Sequence, residues 1–161
     1  MVTQIRQPED ILAFRPLRQV LASKPRSLWS VAPADPVMSA LQIMSDKNIG
    51  CVVVLDGDAL VGIVSERDCA RRTVLTRKSP ETTPIADIMV RKVVTVDLSK
   101  TYADCLKLMH EHGIRHLPVI DGGKTVTVVS IRDLLSEAVA HHARIIAELE
   151  RERLNMFTSM A

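Results

Sequence analysis

The sequence predicts an α+β fold: two β-α-β-β-α repeats packed with pseudo-two-fold symmetry, plus a C-terminal helical extension. Three observations predict it. The chain is written twice at an offset of 65 residues. Each copy carries an Asp-Gly turn between apolar runs. Each copy also places a stretch of helical period ahead of that turn. With the sequence offset by 65, residues 31–68 lie on residues 96–133 without a gap, and twelve of 38 pairs are identical. Among them are Val31/Val96, Met44/Met109, Val54/Val119, Gly57/Gly122, Ser65/Ser130, Arg67/Arg132 and Asp68/Asp133. Ordinary residue frequencies give roughly two or three such matches, so the chain is a duplication.

Each element follows from its residues. The β-branched runs "LWSV" (28–31) and "VVTV" (93–96) read as first strands. "DPVMSALQIMSDKN" places Val37, Leu41, Ile43 and Met44 at helical spacing, with Pro36 suited to the first turn. "KTYADCLKLMHEHG" repeats this with Tyr102, Leu106 and Met109, and Gly113 is a natural stop. "CVVVLDGDALVGIVS" and "RHLPVIDGGKTVTVVS" read as hairpins turning at Asp56-Gly57 and Asp121-Gly122-Gly123. Their continuous apolar character predicts strands covered by helices. A second helix starts at each Ser-x-Arg-Asp. A 60-residue unit alone buries its sheet poorly, and two packed together solve that. The organisation is therefore an N-terminal segment (1–16), repeat one (17–77), repeat two with its preceding linker (78–137) and a C-terminal helix (138–161). The linker "RRTVLTRKSPETTPIADIMV" is polar, with a short amphipathic helix expected near Ile85 to Met89.

Bulk chemistry narrows the function. Of the 161 residues, 47% are apolar, enough for a real core. Net charge is +2, from 21 basic and 19 acidic residues. That balance argues against nucleic acid or a membrane surface as partner. Arg71, Arg72, Arg77 and Lys78 form a basic patch without interleaved stacking aromatics. Cys51, Cys69 and Cys105 are isolated, which fits buried thiols in a reducing compartment better than disulfides. "MVTQIRQPED" lacks the apolar run of a signal peptide, and no span of ~20 apolar residues occurs. A soluble cytoplasmic protein is the expectation. No P-loop, GxGxxG, GxSxG or HExxH pattern is present, so an enzyme is not expected.

The informative feature is the repeated tetrad, Ser65-Glu66-Arg67-Asp68 and Ser130-Ile131-Arg132-Asp133. A capping box accounts for the serine and the acid three places on. It does not account for the arginine in the same slot of both copies, nor for both copies keeping the tetrad. A helix N-terminus already attracts anions. A carboxylate there can accept from two ribose hydroxyls, while serine and arginine donate to phosphate. Weaker candidates read as structural. Cys105, His110 and His112 do not share a helical face, so no metal is expected. His141 and His142 diverge by about 100° on a helix and read as surface or interface polarity. The tail places Leu135, Val139, Ile146 and Leu149 near helical spacing, with Arg144/Glu148 at i,i+4. It reads as a dimer contact rather than a helix lying on its own domain.

With these residues in view, "NIGCVVVLDGDALVGIVSERD" and "GIRHLPVIDGGKTVTVVSIRD" resemble a tandem pair of CBS domains, the module named for cystathionine β-synthase. The resemblance covers residues 17 to 137 and is of the stand-alone bacterial signal-transduction type. It implies clefts between the repeats that bind adenosine-bearing ligands such as AMP, ADP, ATP, NAD or S-adenosylmethionine, and frequent homodimers. Carried across by motif, Asp68 and Asp133 would hold ribose, and Ser65, Arg67, Ser130 and Arg132 would face phosphate. Ile49, Gly50 and Cys51 in repeat one, and Ile114, Arg115, His116 and Pro118 in repeat two, would line adenine and phosphate positions. Trp29 and Val94 would contribute from the first strands. Repeat two departs from the pattern with Thr127 where repeat one has Gly62. Arg115-His116 also replaces Gly50-Cys51, which predicts two unequal sites. The resemblance implies a non-enzymatic adenine-nucleotide sensor, with a ligand-free interaction module or a regulatory subunit of a separate enzyme or transporter as alternatives. An effector protein would then be a further partner.

Overall fold

The computed structural model describes residues 14–23 and 27–159. Most of the expected N-terminal segment 1–16 therefore lies outside the described residues. The elements, in order, are α1 (Leu17–Val20), β1 (Ser30–Val31), α2 (Val37–Lys47), β2 (Cys51–Asp56), β3 (Ala59–Ser65) and α3 (Glu66–Arg72). Then come β4 (Val96–Asp97), α4 (Tyr102–His112), β5 (His116–Asp121), β6 (Lys124–Ser130) and α5 (Ile131–Ser159). The strands form two three-stranded sheets, ordered β1-β2-β3 and β4-β5-β6.

The duplication is visible in atomic register. β1 pairs parallel to β2 with Val31 opposite Val54, and β4 pairs parallel to β5 with Val96 opposite Val119. All four residues belong to the identical pairs of the sequence. α2 closes on Asn48 at φ 52° and α4 on Gly113 at φ 63°, again 65 residues apart. Both positions need a left-handed backbone that Gly adopts freely and Asn tolerates. The hairpins turn through Gly57 and Gly122, at φ 59° and 56°. The first strands are shorter than expected: only Ser30 and Val31 of the first run and Val96 of the second enter the sheet, because the parallel pairing begins at Ser30 and Val96. Pro36 stands at the N-cap of α2, one residue ahead of the helix.

The chain divides into two compact units that interleave the repeats. The first comprises residues 27–98 and 116–129 and holds both sheets, apart from Ser130, with α2 and α3. Its core is aliphatic: Val31, Val37, Ala40, Met44, Val52, Val54, Val64, Ile85 and Ile88 are buried together with Cys69 and Met89. Each fully buried aliphatic side chain stabilises by about 1.5–3 kcal/mol. The linker is stitched to this unit by its backbone. Ile85 N–H donates to Asp35 O (2.9 Å), Val37 N–H to Thr83 O (2.9 Å), and Ile63 and Val90 exchange bonds of 3.1 and 2.9 Å. The amphipathic helix expected near Ile85 to Met89 is instead a single 3-10 turn, Ile85–Asp87. Three contacts with other segments fix its backbone before a longer helix can propagate. The basic patch is partly structural, since Arg72 donates to Ile88 O at 3.1 Å and Lys78 pairs with Asp87 at 3.9 Å.

The second unit comprises residues 14–23, 99–115 and 130–159, with α1, α4 and α5. Here α5 runs unbroken from Ile131 through position 138 to Ser159. Leu17 N–H donates to Lys100 O (2.8 Å), and Pro16 bridges Thr101. Phe14 packs edge-on to Tyr102, ring centroids 5.2 Å apart, and against His141 at 5.1 Å. His141 was expected as surface or interface polarity, but it is buried at 3% exposure among these rings. Burial lowers its pKa, with Arg144 and His142 adding to the effect and Glu137 opposing it. The expected Arg144/Glu148 pair does not form. Arg144 reaches back to Glu137 at 2.8 Å, and Glu148 pairs with Arg151 at 3.8 Å. Arg placed N-terminal to Glu is the weaker i,i+4 orientation, and Glu137 also attracts Arg15 at 3.8 Å. All three cysteines are buried, and none forms a disulfide.

Candidate functional site

The first unit positions ten of the predicted site residues: Trp29, Ile49, Gly50, Cys51, Ser65, Arg67, Asp68, Val94, His116 and Pro118. The site is built where β3 runs into α3. Ser65 ends the strand opposite Cys51 and caps the helix. Its Oγ accepts from Asp68 N–H at 3.2 Å, and Asp68 Oδ2 accepts from Ser65 N–H at 3.0 Å and from Ser65 Oγ–H at 2.6 Å. Glu66 N–H donates to Gly50 O at 3.2 Å, which ties the helix entrance to the turn ahead of β2. The capping box is therefore real, and it occupies one carboxylate oxygen. Among the described residues, no hydrogen bond reaches Asp68 Oδ1, and no ion pair or hydrogen bond engages the exposed Arg67 guanidinium. The serine hydroxyl proton is committed to the carboxylate, so its donation to phosphate requires that bond to open.

Around this entrance the surfaces differ in character. Cys51 is 5% exposed, and its thiol is pushed up to about 12, first by burial and then by the Asp68 carboxylate. It is a neutral wall, with no thiolate to act as a nucleophile near neutral pH. Trp29 is part-exposed and carries the Lys47 ammonium 4.4 Å from its ring centroid. The His116 imidazole lies over Gly50: a Cβ at position 50 would sit 3.3 Å from its Cε1 and Nε2. Thus a residue of repeat two rests on the backbone of repeat one within this unit. Val94 is half-buried and Pro118 is buried.

The second unit positions Ile114, Arg115, Ser130, Arg132 and Asp133, and it repeats the geometry. Ser130 N–H and Oγ–H donate to Asp133 Oδ2 at 3.0 and 2.7 Å, and Asp133 N–H donates to Ser130 Oγ at 3.3 Å. Ile131 N–H donates to Arg115 O at 2.9 Å, the counterpart of Glu66 to Gly50. Ile114 N–H donates to Met109 O and Ile49 N–H to Met44 O, both at 3.0 Å. The Arg132 guanidinium is exposed and has no ion pair or hydrogen bond among the described residues.

A third box tests how much this motif means. Thr101 caps α4 with Asp104 in the same manner, Oδ2 accepting at 2.9 and 2.8 Å. The sequence signal for it, Thr101-x-x-Asp104, is as legible as the other two. Asp104 is held below the usual carboxylate range by the Thr101 backbone and side chain. This box has Tyr102 and Ala103 between cap and acid, and no arginine. Capping geometry alone therefore does not mark a ligand site. The arginine beside the capped acid, present twice and unpaired twice, is what distinguishes residues 65–68 and 130–133.

Comparisons with known proteins agree with the doubled architecture. Residues 19–74 and 85–140 each match the family profile of the CBS domain. A CBS-domain protein of Burkholderia ambifaria, described provisionally as a signal-transduction protein, superposes with a TM-score of 0.75 at 42% identity. It covers 78% of this chain and 94% of its own. The Arabidopsis thaliana protein CBSX3, a mitochondrial CBS-domain protein, is 32% identical over 151 residues, 88% of this chain and 70% of its own length. A second Arabidopsis relative, CBSCBSPB3, is 29% identical over 128 residues, and this chain spans only 23% of its length. Among the described residues, no helix is long and apolar enough to cross a membrane.

Proposed function

Because the chain belongs to the CBS-domain family, carrying two copies of the domain in tandem, we propose that it is a non-catalytic sensor of adenine nucleotides. CBS domains are a regulatory module family that commonly binds adenosine ligands, and the finer reading rests on the paired helix entrances. At each, one carboxylate oxygen holds the cap, and a guanidinium two residues into the motif stands unpaired. That combination suits a ligand with a vicinal diol and a phosphate: the carboxylate accepts from ribose, and the arginine donates to phosphate in bidentate fashion. AMP, ADP, ATP and NAD all carry both groups. Occupancy would act through differential affinity for two arrangements of the module, in shape or in association, since a ligand bound equally by both shifts nothing.

The two ends are chemically unequal. Gly50-Cys51 offers a neutral thiol and a backbone covered by the His116 imidazole, whereas Arg115 offers a cation beside the second helix entrance. The latter favours the more highly charged nucleotide. Titration calorimetry against AMP, ADP, ATP, NAD and S-adenosylmethionine tests both points. The expected result is two binding classes for at least one of the nucleotides. Absence of heat and of any rise in melting temperature with every adenosine ligand would leave the module as a ligand-free interaction domain. The Thr101 box, which caps without an arginine, gives that second reading its footing.

A further inference from the structure

The C-terminal helix α5 carries an apolar stripe that its own unit leaves uncovered. Leu135, Val139, Ile146, Leu149 and Met156 are 52%, 70%, 57%, 58% and 62% exposed. The helix meets the rest of its unit along another line, where Leu134 and His141 are buried and Glu137, Ile145 and Glu148 are half-buried. The exposed stripe is strictly heptad. Positions 135, 142, 149 and 156 recur every seven residues, and 139, 146 and 153 fall four residues after the first three of them. Spacings that alternate four and three over three heptads follow a coiled-coil seam, narrower than the stripe of a helix lying on a globular core. Two of the seven seam positions are polar, His142 and Arg153.

We propose that this stripe pairs with the same stripe of a second copy of this chain, as an antiparallel two-helix seam. The area fits. The five apolar residues expose on the order of 500 Å² per helix, at the upper end of what a monomer leaves open. Two copies together reach ~1,000 Å², the lower bound of a specific interface. The polar layers set the direction. In a parallel pair, Arg153 would face Arg153 of the other copy and His142 would face His142. In an antiparallel pair, Val139 meets Met156, Ile146 meets Leu149 and Arg153 meets His142. Apolar layers then stay apolar. His142 is poised for that contact: its Nδ1 bonds Ala138 O at 2.8 Å, which places the proton there and leaves Nε2 as the acceptor for a guanidinium.

The inference does not depend on nucleotide binding, and its test is run without ligand. The parent chain at about 50 µM should sediment at a multiple of its 17.8 kDa mass. The Ile146→Glu, Leu149→Glu variant should fall to half of the parent's value. Leu154→Glu, exposed at 62% but off the stripe, should leave the mass unchanged. A parent that sediments as a monomer, or a seam variant that keeps the parent's mass, overturns the pairing. Direction is read by oxidative cross-linking. Ile146→Cys mixed with Leu149→Cys should cross-link, while neither should alone, and the three native cysteines are buried. Efficient cross-linking of Ile146→Cys by itself would establish a parallel pair and refute the antiparallel seam.

Discussion

Replacing Asp68 and Asp133 by asparagine separates the two duties assigned to these carboxylates. Asn keeps an oxygen able to accept from the serine N–H, at present 3.0 Å from each acid. The cap is thus largely retained, at a cost below the ~1 kcal/mol typical of losing an N-cap. What Asn loses is a charged acceptor for the ribose diol. Hydrogen bonds to charged groups contribute about 1.5–3 kcal/mol, so affinity should fall roughly 10- to 100-fold. Nucleotide at 100 Kd stabilises the parent by about 2.7 kcal/mol. For a chain of this length that raises Tm by about 5–10 °C. After the substitution the same concentration stands at about 1–10 Kd, and the gain shrinks to about 0.4–1.4 kcal/mol. The Ser65→Ala, Ser130→Ala pair should behave oppositely. It removes the acceptors of the Asp68 and Asp133 N–H groups, lowering Tm without ligand, yet leaves both carboxylates in place, so most of the nucleotide shift survives. Scanning fluorimetry with and without AMP and ATP reads all four quantities. Asn variants that keep the full nucleotide shift would show that these acids only cap.

Three further outcomes follow from the geometry. Gly62→Ala should destabilise by about 1–3 kcal/mol, because a Cβ there would sit 2.6 Å from Met89 Sδ and 3.2 Å from Met89 Cβ; in a Met89→Ala background, urea unfolding should find the added cost smaller. The Cys51 and Cys69 thiols, raised by burial to about 12 and about 11, should resist a thiol reagent at pH 8 and react only as the chain unfolds; rapid native labelling would contradict their placement. The pKa of His141 is lowered in the fold, chiefly by burial, so below about pH 6.5 the unfolded chain takes up the proton first. Stability should be full above that pH and decline as pH falls, and His141→Leu should flatten the decline in urea midpoints measured from pH 8 to pH 5.

Much of this fold was legible because the duplication speaks twice. A turn at Asp56-Gly57 is a local signal, but its recurrence at Asp121-Gly122 fixes the register of everything between. The same logic failed where an outcome depends on a distant segment. Nothing local reveals that residues 85–89 stop at one 3-10 turn, because the decision lies with the carbonyl of Asp35 and with β3. Nothing on the α5 sequence shows His141 as buried, because Phe14 and Tyr102 close over it from elsewhere. Of the site, the tetrads were readable. The contact of His116 with Gly50 was not, since it joins residues 66 positions apart.

That contact also explains why two copies of one unit need not remain alike. At two glycines of repeat one, a larger group from another segment takes up the space: His116 lies on Gly50, and Met89 fills the position above Gly62. Where repeat two has Thr127 in place of Gly62, the space is used differently, and its hydroxyl approaches Ser27 O at 3.5 Å. A substitution that enlarges one repeat is therefore tolerated when its counterpart is small. In the Gly50-Cys51 and Arg115-His116 segments, the contact that shows this complementarity is His116 on Gly50. The groups beside the two capped aspartates differ accordingly: Gly50 O accepts from the entrance of α3 and Arg115 O from the entrance of α5.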